Sequence, residues 1–148
     1  MAGGDLTRKV EKSFVTWLAD SATHSQTIGI TARQFNEDDT DTNALPKLTV
    51  RATRGNELHS NPPTGVFEYD VEVELTANAD DTTEAVFEGY VEKIETILQW
   101  DDLVARLSDA VGDFKVFGIS QLGPGSQDID ERSWVWTYGV TLWAQAGD

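Results

Sequence analysis

Apolar residues at Leu6, Val10, Phe14, Trp17 and Leu18 recur every three or four positions, the spacing that lines one face of a helix. The pattern predicts an amphipathic helix from about Asp5 to Ala19, with Asp5 placed to cap its first turn. The side away from this stripe carries Arg8, Lys9, Glu11 and Lys12, a basic face on which Arg8 and Lys12 are candidates for a subunit contact. From Ser21 to Leu45 the pattern loosens, with a short apolar piece at Ile28 to Ile30. The run from Asn36 to Asn43, with Glu37, Asp38, Asp39 and Asp41, reads as a flexible acidic loop over about residues 34–46.

Period-two alternation then takes over. Leu48, Val50 and Ala52 alternate with Thr49, Arg51 and Thr53, so Lys47 to Arg54 is expected to be a half-buried strand. Gly55 to Gly65, with Asn61-Pro62-Pro63, reads as a turn or long hairpin loop. The cleanest alternation follows, with Phe67, Tyr69, Val71, Val73 and Leu75 on one face and Glu68, Asp70, Glu72 and Glu74 on the other. Capping residues from Asp80 to Thr83 precede a second helical stripe of Val86, Phe87, Tyr90, Val91, Ile94, Ile97 and Leu98. A shorter helix bearing Leu103, Val104, Leu107 and Val111 is expected next, capped by Asp101 or Asp102 and stopped by Gly112. Phe114 to Leu122 reads as a strand, Gly123 to Ser126 as a loop, and Ser133 to Ala144 as a closing strand with Trp134, Trp136, Tyr138, Val140 and Leu142 inward. The expected fold is α+β: an N-terminal helix and an antiparallel four-stranded sheet of two β-hairpins, with the helices packed on one face.

The length of 148 residues suits one domain, 1–148, large enough to bury a core without staples. With no cysteine, disulfides, thiolate metal sites and thiol nucleophiles are excluded together. A net charge of −15 argues against tight binding to phosphate backbones or anionic lipid, and no apolar run reaches membrane-spanning length. The opening MAGGDLTRKVEKS carries no apolar stretch of the secretory-signal type.

The residues that carry chemistry elsewhere do not assemble into a motif here. His24 and His59 fall in segments read as loops, where a lone histidine is ordinarily a solvated side chain. Asp39-Thr40-Asp41-Thr42-Asn43 begins like a calcium loop, but Ala44 stands where the turn glycine belongs and Val50 where the bidentate glutamate belongs. Gly123-Pro124-Gly125 lacks the third glycine of a dinucleotide fingerprint, and Ser120 lacks the final glycine of a nucleophile elbow. The sequence therefore nominates no catalytic, cofactor or metal residue, and the chain is expected not to be an enzyme.

Two features stand out instead. Glu68, Asp70, Glu72 and Glu74 place four like charges about 6.5–7 Å apart along one strand face, within a Debye length at physiological salt. That face is either an ordinary solvated surface, relieved by Arg51 and Lys115 on neighbouring strands, or a surface that repels polyanions. Trp143 falls on the alternate face from Trp134, Trp136 and Tyr138, which makes it the exposed aromatic candidate for a subunit contact.

The whole-chain order of an N-terminal amphipathic helix (Leu6 to Leu18), two hairpins (Lys47 to Leu75 and Phe114 to Ala144) and a central helix (Ala85 to Leu98) resembles the tail-terminator, or tail-completion, proteins of long-tailed bacteriophages. The texture of the Phe67-to-Val73 strand and of the aromatic closing strand adds to the likeness. The resemblance implies a virion protein made in the host cytoplasm. It implies a homo-oligomeric ring of six subunits that caps the tail tube and meets the head connector; in such a ring, with the face of Glu68, Asp70, Glu72 and Glu74 toward the hole, DNA would pass without adhering. No cofactor and no membrane partner is implied. The Asp-rich run at 36–43 and the helix near Leu103 depart from the family's plain pattern. The alternatives are another neck or tail ring protein, such as a connector or tube subunit, and, from a different class, a small monomeric ligand-binding domain or enzyme. The acidity also fits salt adaptation, which is compatible with any of these readings.

Overall fold

The computed structural model describes residues 6–34, 46–57, 65–111, 114–130 and 132–146. The first helix, α1 (Thr7–Ala19), buries Val10, Phe14, Trp17 and Leu18, the stripe that its spacing predicts. A single-turn helix, α2 (Ser21–His24), follows, and then a three-residue strand, β1 (Ala32–Gln34). Strands β2 (Lys47–Glu57) and β3 (Val66–Asn78) form the first hairpin. Helices α3 (Glu84–Leu98) and α4 (Leu103–Val111) lead into the second, β4 (Phe114–Asp130) and β5 (Ser133–Ala146). Thr83 caps α3 by accepting the Val86 N–H at 3.3 Å, so one of the first-turn donors is satisfied as the sequence predicts.

The sheet has strand order β1-β2-β3-β5-β4. Both hairpins are present and β3 pairs antiparallel with β5, but the four-stranded expectation is short by one strand: β1 pairs parallel with β2 over Ala32 to Gln34. Ala-Arg-Gln has no alternation and no β-branched residue, so its strand state comes from the neighbouring β2 edge and not from its own preference.

Side chains of one sheet face meet α1, α3 and α4 in a single buried cluster. Leu48 and Val50 of β2, Tyr69, Val71, Val73 and Leu75 of β3, and Trp136, Tyr138, Val140 and Leu142 of β5 line it. Trp17 sits at its centre, donating its indole N–H to the Ile97 carbonyl at 3.0 Å and meeting Trp100 edge-on. The helices pack on one face of the sheet, no helix among the described residues covers the other, and that asymmetry positions the candidate site.

Four expectations are corrected at the level of elements. Gly123 to Ser126 is not a loop; β4 runs straight through it, with a register shift between Leu122 and Gly125. The glycines are there because aromatic rings lie underneath. A Cβ on Gly125 would stand 2.7 Å from Trp136 Nε1, and Gly123, at φ +63°, would place one 3.0 Å from the Tyr138 ring. Similarly, β2 continues past Arg54 through Gly55 to Glu57, with a bulge where a turn was expected.

Glu11, read as solvent-facing, is 2% exposed, because i, i+3 and i+7 place it beside Phe14 and Leu18. His24, read as a solvated loop residue, is buried at the end of α2. Its Nε2 lies 3.0 and 3.1 Å from the Trp17 and Leu18 carbonyls, while Nδ1 accepts the Gln26 N–H at 3.1 Å. That pattern puts the ring proton on Nε2, shared between the Leu18 carbonyl and the Trp17 carbonyl that also accepts the Asp20 N–H at the end of α1. His59, Asp5, Gly112 and the acidic run with Glu37, Asp38, Asp39 and Asp41 lie outside the described residues.

Candidate functional site

The bare face of the sheet is built by the outward positions of its strands. Glu68, Asp70, Glu72 and Glu74 run down the middle of it on β3, with Asp70 and Glu72 exposed and Glu68 and Glu74 half-buried. On the β2 side, Thr53 stands opposite Asp70, Arg51 opposite Glu72 and Thr49 opposite Glu74. On the β5 side, Glu68 faces Trp143, Asp70 faces Thr141, Glu72 faces Gly139 and Glu74 faces Thr137.

These neighbours make the row tolerable. The Thr141 hydroxyl donates to Asp70 Oδ1 at 3.0 Å, and the Thr76 hydroxyl reaches Glu74 Oε1 at 3.4 Å. Arg51 is the one cation directly across from a carboxylate of the row, as the sequence anticipates. Lys115 is not a second: β5 separates its strand from β3, it stands opposite Gln145, and its ammonium lies 5.2 Å from the centre of the Phe117 ring. Arg54 likewise stacks on Phe67 at 4.7 Å and does not join the row.

Trp143 shares this face, between Glu68 of β3 and Gly118 of β4, and is half-buried where full exposure was expected. Flanked by a long carboxylate side chain on one strand and a glycine on the other, a tryptophan settles down onto the sheet. Arg8 and Lys12 are exposed on α1, which packs on the opposite side of the sheet from the carboxylate row and Trp143.

Gly139 leaves the centre of the face without a side chain, and a shallow depression of about 390 Å³ opens over it. Its walls include Arg51, Asp70, Glu72, Gln121, Thr137 and Thr141. It is an open, polar hollow with the Asp70 and Glu72 carboxylates and the Arg51 guanidinium among its walls. No group of three or more His, Cys, Asp or Glu among the described residues is disposed to hold a metal ion. No helix among them is long and apolar enough to cross a membrane.

The fold and this face define an α+β domain with a helix-backed sheet whose other face carries the carboxylate row. The chain matches no protein-family model and no curated protein.

Proposed function

We propose that this chain is a structural subunit of a phage virion, a tail terminator that forms a ring of six, caps the tail tube and joins it to the head connector. The observation that carries the reading is the unbroken carboxylate row on the sheet face that no helix among the described residues covers. A face of this sign lining a hole lets DNA pass without adhering, because phosphates find no counter-charge on it. The order of helices and hairpins, which resembles that family, supports the reading, and a connector or tube subunit would use the face in the same way.

The test is charge reversal on the bare face. Replacing Glu68, Asp70, Glu72 and Glu74 by lysine moves the subunit charge from −15 by eight, to −7, and leaves the buried face untouched. Salt-dependent DNA binding is expected in the variant and none in the parent, read by titration at two salt concentrations. Mass measured in solution accompanies it. A parent that stays monomeric at every concentration, alone or with tail-tube protein, overturns the ring reading in favour of a monomeric binding domain.

A further inference from the structure

β4 is the last strand on its side of the sheet, and its two halves are finished differently. The first half is broken by register shifts at Val116–Gly118, Ile119–Gln121 and Leu122–Gly125, and the Ser108 hydroxyl of α4 accepts the Val116 N–H at 2.9 Å. From Gly125 to Asp130 the pairing with β5 is regular, and Gly125 to Ile129 are all exposed. The Ile129 N–H is accepted by Asp128 Oδ1 at 2.8 Å, so it points away from β5 toward the open side. Main-chain groups alternate along a regular antiparallel strand, so Gly125 and Gln127 turn their N–H and C=O groups to that side too. A regular edge of this kind is one that folded proteins either guard or use.

Beside that edge lies a buried donor with no acceptor. Trp136 of β5 stands opposite Gln127 and is 2% exposed, and its indole reaches across to β4: a Cβ on Gly125 would lie 2.7 Å from Nε1. Buried indoles ordinarily find an acceptor, as Trp17 does in the Ile97 carbonyl and Trp134 in the Thr82 carbonyl. The Trp136 N–H meets none among the described residues. The missing side chain at Gly125 therefore leaves this donor over the edge strand itself. Two residues past Gln127, Ile129 faces the same side, opposite Trp134, and is 51% exposed.

The surroundings set the sign of what can approach. Asp128 is exposed beside the edge, and the stretch from Gln127 to Glu131 holds Asp128, Asp130 and Glu131 with no cation. A second copy joining β4 to β4 would bring that acidic stretch against itself, on subunits that each carry −15. A basic strand is attracted instead. Its Lys or Arg beside Asp128 would draw the carboxylate off the Ile129 N–H and free that donor for pairing.

We propose that Gly125–Ile129 of β4 receives an extended, basic segment of a partner protein as an added strand. Main-chain pairing supplies the affinity, and alternate side chains supply the choice. Those on the Asp128 side are Lys or Arg. On the Trp136 side, an aliphatic group covers Ile129, and an amide or hydroxyl oxygen over Gly125 accepts the indole N–H. The inference does not rest on the ring reading, because one copy of the chain is enough.

The probe is a short labelled peptide, Lys-Val-Lys-Thr-Lys-Gln-Lys, which in antiparallel register sets Val against Ile129, Lys against Asp128 and Gln against Gly125. Its counterpart carries Glu for every Lys. The lysine peptide should bind the parent, move the Trp136 indole N–H resonance downfield while leaving that of Trp17 in place, and slow exchange of the Gly125 and Gln127 amides. The glutamate peptide should not bind. Asp128→Lys, at an exposed position, should weaken the lysine peptide by about three- to tenfold and admit the glutamate peptide. Methylating the peptide's backbone nitrogens should abolish binding. No binding of the lysine peptide at about 1 mM overturns the proposal. Binding that survives methylation, or that leaves the Trp136 resonance unmoved, reduces it to attraction by an acidic surface and overturns it as well. Shifts of the Gly125 to Ile129 resonances with protein concentration alone would make a second copy the occupant, against the proposal. A parent that sediments as a monomer defeats the ring reading and leaves this one standing.

Discussion

Glu11 offers the sharpest test of how the sheet edge is finished. Its carboxylate is 2% exposed, with Oε2 accepting the Ala52 N–H at 2.9 Å and Oε1 accepting Arg8 Nη1 at 3.1 Å. Ala52 lies two residues past Val50, the last β2 position that β1 pairs with, so a helix side chain takes over where the short edge strand stops. Glu11→Ala removes a charge-assisted bond of about 1.5–3 kcal/mol and leaves a buried N–H unsatisfied; because these terms overlap, the expected loss is about 2–4 kcal/mol. Glu11→Gln keeps an acceptor for Ala52 and should cost about 1 kcal/mol, the loss of charge assistance. The Arg8 side chain is 57% exposed, so solvent screens that pair and Arg8→Ala should cost between about 0 and 1 kcal/mol. Urea unfolding followed by tryptophan fluorescence, at one fixed protein concentration, resolves these differences: at about 2 kcal/mol per molar urea, the Glu11→Ala midpoint should fall by about 1–2 M. A Glu11→Ala midpoint within about 0.25 M of the parent, or equal losses for Ala and Gln, would refute the edge-capping role.

The glycines separate cleanly in the same assay. Gly125→Ala should cost about 1–3 kcal/mol, since its Cβ would meet the buried Trp136 indole at 2.7 Å, whereas Gly139→Ala, with nothing within 4 Å, should be near neutral. Trp143→Ala, on the half-buried outer position, should cost about 1–2 kcal/mol and leave the chain folded, against about 3–5 kcal/mol for Trp17→Ala in the core; unfolding of the Trp143 variant would show that this ring belongs to the core. Assembly, followed by sedimentation, should strengthen from about 0.01 M to 0.15 M salt as the Debye length falls from about 30 to 8 Å and subunit repulsion is screened; steady weakening over that range would mean that repulsion is not what opposes association.

Much of the architecture was legible because burial on one face imposes a period. The α1 stripe, Phe87, Val91, Ile94, Ile97 and Leu98 of the α3 stripe, the alternation of β3 and the inward set Trp136, Tyr138, Val140 and Leu142 were readable from spacing alone, whereas Val86, read into the α3 stripe, is exposed. What was missed depends on partners distant in sequence. β1 is a strand because β2 is beside it, and β4 crosses Gly123 and Gly125 because Trp136 and Tyr138 lie beneath them. Local preference reads those glycines as a turn; only the register with β5 reveals them as clearance. Glu11 was different, since its helical spacing from Phe14 and Leu18 already placed it on the buried flank. Its charge outweighed its position in the sequence reading, although a buried carboxylate is tolerated wherever a backbone N–H meets it.

The acidic row was visible in the sequence, but its setting was not. Four carboxylates on a strand covered by a helix would have needed buried partners, and on a two-sided solvated strand they would carry little meaning. Here they lie on the face of the sheet that no helix among the described residues covers, with threonines, a glycine, a tryptophan and one arginine as their cross-strand neighbours. The net charge of −15 hides a second asymmetry, since most of the cations sit on α1, β1 and β2. A uniformly acidic subunit would repel its own copies from every side. Here residues 5–57 carry those seven cations against eight carboxylates, a net of −1, and the rest of the chain carries −14, so repulsion between copies is weakest across the half that holds α1, β1 and β2.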